Sequence, residues 1–257
     1  MDKLDAMKYA GVVNNGAISW GSHLAGLKFS LLEIDAMMNR YFIERDCTPI
    51  FKGYRGFPGT ACLSPNDVVV HGVPSNYIPK DGDLLTIDVG CSYEGWCVDS
   101  ARTIVIGLTQ PGLFPLQERL AAAAESVLEA EMSILRPGTT LLEIAKAAED
   151  RAAQLGVNIF PQFGGHNIGR ALHEEPFIPN CIDPALSSIK RWQLEREYAG
   201  YALQAGQVIC LEPVVTFGKT DIMVDGDGWT VRTPAGSLVA PSEQCILITD
   251  NGHEILS

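Results

Sequence analysis

The sequence predicts a mixed α+β chain made of two related halves. Three observations carry that expectation: capped helical segments are interleaved with short β-rich runs, a pair of sequence words recurs in the same order, and no linker or low-complexity tract interrupts the 257 residues. The first word is Ser-Leu-Leu-Glu-Ile at 30–34, answered by Thr-Leu-Leu-Glu-Ile at 140–144. The second is Leu84-Leu-Thr-Ile-Asp-Val89, answered by Val208-Ile-Cys-Leu-Glu-Pro-Val214. Each of these runs is apolar, bears one carboxylate, and follows a Gly-containing turn, Asp81-Gly82-Asp83 or Ala205-Gly206-Gln207. Taken singly, either match is no more than a coincidence of short words; their shared order favours duplication.

Ser30 with Glu33, and Thr140 with Glu143, have the form of capping boxes. In each, the hydroxyl accepts from the amide three residues on, and the carboxylate accepts from the cap's own amide. They open helices over about 31–45 and 141–155, the second stopped by Gly156. A longer helix is expected over 116–135, with Leu120, Ala124, Val127, Leu128 and Leu135 on one face and Arg136-Pro137-Gly138 ending it. Strands are expected near 67–71, 83–90, 96–107, 207–215, 228–232 and 243–249.

Composition narrows the function. Apolar residues make up 46% and charged residues 19%, which excludes a disordered chain. With 31 acidic and 19 basic residues the net charge is -12, which disfavours electrostatic binding to nucleic acid or to an anionic membrane. No window approaches the ~18 consecutive apolar residues of a membrane span. The opening MDKLDAMKYAG lacks the apolar core of a secretory signal. Seven cysteines, at 47, 62, 91, 97, 181, 210 and 245, form no CxxC pair and match neither a disulfide framework nor a zinc spacing. They read as reduced thiols of a cytoplasmic protein.

The chemistry starts with Asp88 and Asp99. The segment between them reads as a hairpin turning at Tyr93-Glu94 with Gly95 easing the turn, so that 88 faces 99. Directly opposed aspartates have Cβ atoms ~4.5–5.5 Å apart and destabilise the pair unless a proton or a cation sits between them. A different register puts one of the two at the surface. Three of the five histidines, His71, His166 and His173, lie in compact words, and Glu212 and Glu243 interrupt or border apolar strands. Buried glutamates without a cation are rare. Four such carboxylates and an imidazole in one pocket would be balanced by two divalent cations. A water shared by such ions loses a proton near neutral pH, which is hydrolase chemistry.

An ordered series of words then becomes specific. It comprises Phe51-Lys-Gly-Tyr-Arg-Gly-Phe-Pro58, Val70-His-Gly-Val-Pro74, Ile87-Asp-Val-Gly90, Val98-Asp-Ser-Ala-Arg-Thr103, Gly165-His-Asn-Ile-Gly169, His173-Glu-Glu-Pro176, Leu211-Glu-Pro213 and Asp250-Asn-Gly252. From about residue 5 to the C-terminus the chain resembles the methionine aminopeptidases. The resemblance implies a pita-bread fold: one catalytic domain over 1–257, with pseudo-symmetric halves of about 1–110 and 111–257, antiparallel sheet, outer helices and a central metal site. It implies Asp88, Asp99, His166, Glu212 and Glu243 as ligands of two divalent ions (Mn, Fe, Co or Zn). It implies His71 and His173 as substrate-contacting catalytic histidines and Glu212 as a proton shuttle as well. It implies an apolar slot for the methionine side chain made by Tyr54, Phe57, Cys62 and Trp229. The expected activity is removal of N-terminal methionine from nascent polypeptides with a small second residue, by a cytoplasmic monomer, with the ribosome as a candidate partner and without membrane or specific nucleic acid.

Only 38 residues separate His173 from Glu212, too few for the large helical insertion of type II enzymes, so the resemblance is to type I; no zinc-binding N-terminal extension is seen. The chain departs from the family's usual pattern at Asn167, where glycine is common, at Gln244, where histidine is common, and at Leu172, where an aromatic residue is common. Asn167 and Gln244 are expected to retune metal affinity. Residues 185–204, carrying Trp192, Tyr198 and Tyr201, form a longer stretch than usual and are expected to act as a lid or partner surface restricting access. Two other readings are a proline-specific peptidase of the same fold and a non-catalytic binding module. The first generally has an additional N-terminal domain and lacks the Lys-Gly-Tyr-x-Gly-Phe-Pro word; the second generally loses metal ligands.

Overall fold

The computed structural model describes residues 2–257. Its helices are α1 (Lys3–Gly26), α2 (Leu31–Ile43), α3 (Pro115–Met132), α4 (Leu141–Leu155) and α5 (Ser188–Ala199). Its strands are β1 (Thr48–Pro49), β2 (Cys62–Pro65), β3 (Val68–Val70), β4 (Leu84–Tyr93), β5 (Trp96–Val105), β6 (Asn158–Ile159), β7 (Gly164–Asn167), β8 (Glu174–Pro179), β9 (Val208–Leu211), β10 (Val214–Thr216), β11 (Met223–Val224), β12 (Val231–Arg232), β13 (Val239–Thr249) and β14 (Gly252–Ile255).

Both capping boxes are formed. The Ser30 and Thr140 hydroxyls accept from the amides of Glu33 and Glu143, and each carboxylate accepts from its cap's amide. Gly156 closes α4 in the left-handed conformation at φ 69°. Helix α3 stops three residues short of the expected 135. The Thr139 hydroxyl donates to the Ile134 carbonyl and accepts from the Arg136 amide, so the chain turns before the proline is reached.

The main sheet runs β1-β4-β5-β13-β9-β7-β8, with its strand pairs antiparallel. The two echoed strands, β4 and β9, flank the central pair β5 and β13, which meet at Ser242↔Arg102 and Glu243↔Ala101. Helix α1 covers β4 and β5 with α2 packed on it; α3 covers β13 with α4 packed on it. Both helix pairs therefore lie against the sheet.

The predicted strand at 207–215 is broken into β9 and β10 at Glu212-Pro213. Proline has no amide to give the ladder, and the break releases Glu212 from the strand. The last long strand starts at Val239 rather than 243. Helix α1 has no counterpart among the expected elements. Its N-cap is Asp2, whose side chain accepts from the Asp5 amide.

The register of the β4–β5 hairpin also differs from expectation. Tyr93 pairs with Trp96 across a two-residue turn, Glu94-Gly95, in which both residues have positive φ, 51° and 74°. Such a turn matches the right-handed twist of the strands better than the longer loop expected from the sequence. Asp88 consequently faces Ala101, and Asp99 faces Gly90. The aspartates are diagonal neighbours on one face, each opposite a residue small enough to leave room for it.

Candidate metal centre

Strand alternation assembles the site. Asp88 on β4, Asp99 on β5 and Glu243 on β13 all project from the same face of the sheet, because 88 pairs with 101 and 101 pairs with 243. His166 on β7 pairs with Cys210, and Cys210 with Cys245, two residues from Glu243, which brings the imidazole to that face too. Glu212 joins them from the break after β9. One carboxylate oxygen each of Asp88, Asp99 and Glu243 lie within 4.8 Å of one another. The His166 Nε2 is 3.9 Å from a Glu243 oxygen.

All eleven residues singled out from the sequence line one cavity of about 290 Å³: Tyr54, Phe57, Cys62, His71, Asp88, Asp99, His166, His173, Glu212, Trp229 and Glu243. The cavity also takes in Phe51, Arg55 and Leu172, which sequence reasoning did not assign to it. Phe51 and Arg55 flank Tyr54 in the word already recognised, and Leu172 precedes His173, so adjacency was the available signal. No residue of 185–204 lines it. Helix α5 packs on α4 instead, so the expected lid is not over this cavity.

Asp99 is 4% exposed, Glu243 4% and His166 7%, so the cluster sits at the buried end. Burial is the largest influence on each acid. It pushes Asp99 up to about 7, against a hydrogen bond from the Ser100 amide, and Glu212 up to about 8 with Asp99 adding repulsion. Asp88 and Glu243 are pushed well up by burial first and neighbouring carboxylates second. One oxygen of Asp88 and one of Asp99 are buried without a hydrogen-bond partner among the described residues. Desolvated carboxylates aimed at one another, with lone pairs unspent, are what a divalent cation satisfies; on binding it displaces their protons.

The imidazole is pre-set for the same task. Its Nδ1 lies 2.9 Å from the Asn167 carbonyl, which can only accept, so Nδ1 carries the hydrogen and the Nε2 lone pair faces the acids. Burial lowers the His166 pKa and keeps the ring neutral. Cys62, opposite Asp88, has its thiol pushed well up by burial and then by the carboxylates, so it stays protonated and walls the cavity. Gln244, the other departure next to a ligand, alternates to the far side of β13 from Glu243 and does not line the cavity.

Toward the mouth the lining changes character. His71 is held at positive φ (57°) just after β3, and the following Gly72 approaches the Leu63 carbonyl so closely that a Cβ would lie 2.4 Å from it. This tight passage turns His71 to the rim, with Trp229 edge-on at 6.2 Å between ring centroids. Trp229 also packs edge-on against Phe57 at 5.3 Å. His173 Nδ1 is 2.9 Å from the Tyr54 hydroxyl, and its ring centroid is 4.4 Å from that of His166. Burial, then His166 and Arg55, lower its pKa to about 4, so His173 is neutral at pH 7. Phe51, Phe57, Cys62, Leu172 and Trp229 give the cavity its apolar lining.

Known proteins resemble this chain in sequence and fold. "Methionine aminopeptidase 1" of Mycobacterium tuberculosis is 36% identical over 262 residues, covering 99% of this chain and 92% of that one. The methionine aminopeptidase of Mycoplasma capricolum is 33% identical over 256 residues, covering 100% and 96%. The crystal structure of the Thermotoga maritima methionine aminopeptidase superposes with a TM-score of 0.86 at 31% identity, covering 99% of this chain and 96% of that one. The prolidase of Pyrococcus horikoshii shares the fold at a TM-score of 0.69 and 20% identity, with this chain covering 61% of it. Residues 5–250 match the model of Metallopeptidase family M24, and this chain belongs to that family.

Proposed function

We propose that the chain is a metal-dependent aminopeptidase, a single catalytic domain that removes N-terminal methionine from polypeptides whose second residue is small. The observation that supports this best is one cavity lined by both a buried acid cluster with unspent lone pairs and apolar side chains. In this reading Asp88, Asp99, His166, Glu212 and Glu243 hold two divalent ions. When bound, those ions polarise the scissile carbonyl and make water nucleophilic at neutral pH. Carboxylates with one imidazole suit Mn, Fe, Co and Zn alike.

The remaining steps belong to the chain's own groups. The slot takes the methionine thioether, whose flexible stem fills an irregular apolar wall. Glu212, released from the strand ladder by Pro213, receives the proton of the attacking water and passes it to the departing amine. His173 serves the carbonyl oxygen if its Nε2 bears hydrogen. The Tyr54 hydroxyl supports that tautomer by donating to Nδ1, so that Nε2–H stabilises the developing oxyanion. His71, which lines the same cavity, serves the scissile amide.

The test is hydrolysis of Met-Ala-Ser by the protein supplied with Mn²⁺, Fe²⁺, Co²⁺ or Zn²⁺ under anaerobic conditions. Free methionine is expected from the wild type and not from Asp99→Ala. A wild type inert with all four ions sinks the proposal. Cleavage confined to Xaa-Pro peptides favours the proline-specific reading instead.

A further inference from the structure

We propose that Asn167 is a positioning residue for His166. It clamps the carbonyl that holds the imidazole and ties it to a bulge in β8 and to the chain following α5. The inference rests on the reading of His166 as a metal ligand.

The argument starts from a register shift. Strands β7 and β8 pair regularly through Gly164↔Pro179, Gly165↔Ile178 and His166↔Phe177, and then jump to Asn167↔Glu174. Glu175 and Pro176 are squeezed out of the ladder. A bulge of this kind leaves main-chain groups without their ladder partners. The Glu175 carbonyl finds its donor in the Asn167 side chain, whose Nδ2 lies 2.6 Å away. The other end of the same amide is also used, since Asn167 Oδ1 accepts from Gln207 Nε2 at 2.7 Å.

Gln207 is fully committed in turn. Its second Nε2 hydrogen reaches the Tyr201 hydroxyl at 3.1 Å, and its Oε1 accepts from the Gln204 amide at 3.0 Å. Asn167 is therefore fixed at both ends of its side chain. The carbonyl of this immobilised residue is the one that takes the Nδ1 hydrogen of His166. A glycine at 167 makes neither side-chain bond. It leaves the Glu175 carbonyl bare and the 167–168 peptide held from the β9 side alone, where the Ile168 amide donates to the Val208 carbonyl, so the carbonyl facing the imidazole is less firmly fixed. Asn167 thus braces the bulge beside His166.

Outer partners that orient a ligating histidine typically set metal affinity by about 10–100-fold. The experiment is Co²⁺ titration of metal-stripped full-length protein, followed by calorimetry and by visible absorption, for wild type, Asn167→Gly, Gln207→Ala and His166→Ala. The equivalent of Co²⁺ that His166→Ala removes is expected to bind about tenfold more weakly in Asn167→Gly, with a shifted absorption band. In Gln207→Ala, which loosens only one end of the clamp, the change runs in the same direction but is smaller. Unfolding midpoints recorded without Co²⁺ separate a general loss of fold from this effect, and Gln207→Ala carries the test if Asn167→Gly does not fold. A His166-dependent equivalent whose affinity and spectrum are unchanged in both variants overturns the inference. Co²⁺ binding indifferent to His166→Ala overturns the underlying ligand assignment instead.

Discussion

Replacing Glu131 by glutamine is expected to change how stability depends on pH. Glu131 lies on α3, one turn from Val127 and Leu128, and is 0% exposed. Neither carboxylate oxygen has a hydrogen-bond partner among the described residues, and burial alone pushes its pKa well above 4.5. The unfolded chain releases this proton near 4.5, whereas the folded chain keeps it to higher pH. Between those two pKa values the native state binds one more proton than the unfolded state, so stability falls as pH rises, by about 1.4 kcal/mol per unit. Glutamine keeps the shape and has nothing to lose. The stability difference, Glu131→Gln minus wild type, should therefore grow from pH 4.5 upward at that slope and level off at the folded pKa; two units of window give about 3 kcal/mol. Glu131 does not line the cavity, so titration of the acid cluster is common to both proteins and cancels in the difference. The assay is urea unfolding by tryptophan fluorescence at half-unit steps from pH 5 to 8, with chelator throughout. Parallel curves for the two proteins would show that Glu131 is ionised and paired in the folded state, contrary to its surroundings.

Two other perturbations address the site. In Tyr54→Phe, His173 loses the partner of Nδ1 while the aromatic wall stays, so kcat on Met-Ala-Ser should fall about fivefold, equivalent to about 1 kcal/mol, with KM nearly unchanged; a rise in KM alone would make Tyr54 a wall residue only. In Gly165→Ala the new Cβ would lie 2.0 Å from the Cys210 carbonyl oxygen, a main-chain atom that cannot swing aside, so β7 must part from β9 beside His166. Urea unfolding should show a loss of about 1–3 kcal/mol, together with weakened metal binding; a variant within about 0.5 kcal/mol of wild type that still binds Co²⁺ normally would refute the close approach.

What the sequence discloses depends on whether a physical conflict is visible in it. Asp88 and Glu212 interrupt apolar runs and Glu243 borders one, where an acid is costly, so the residues around them already mark them out. Helices α2 and α4 are legible almost to the residue because Ser30, Glu33, Thr140 and Glu143 write their start into the chain. Helix α1 is silent for the opposite reason. It packs through close backbone approach: a Cβ at Gly11 would meet the Leu256 carbonyl at 1.8 Å, and one at Gly16 the Tyr41 hydroxyl at 2.1 Å. Its buried face is mostly small residues, Ala6, Ala10, Gly11, Ala17, Gly21 and Ala25 between Met7, Val13, Ile18 and Leu24, so its apolar stripe is faint in the sequence. Glu131 is equally silent, since glutamate on a helix normally faces water and only packing reveals that this one does not.

The hairpin shows why a wrong detail left the site intact. The expected pairing sets 91 against 96, and the observed pairing sets 93 against 96, a shift of two residues. Side chains alternate with period two, so this slip moves Asp88 and Asp99 from opposed to diagonal but keeps both on the same face. A slip of one would have turned one aspartate to the helix side of the sheet, away from Glu243. The turn decides between these cases, and here Glu94 accepts a left-handed φ of 51° to make it two residues long. Parity along the strands, and not direct opposition of the acids, is therefore what brings both aspartates into the cavity.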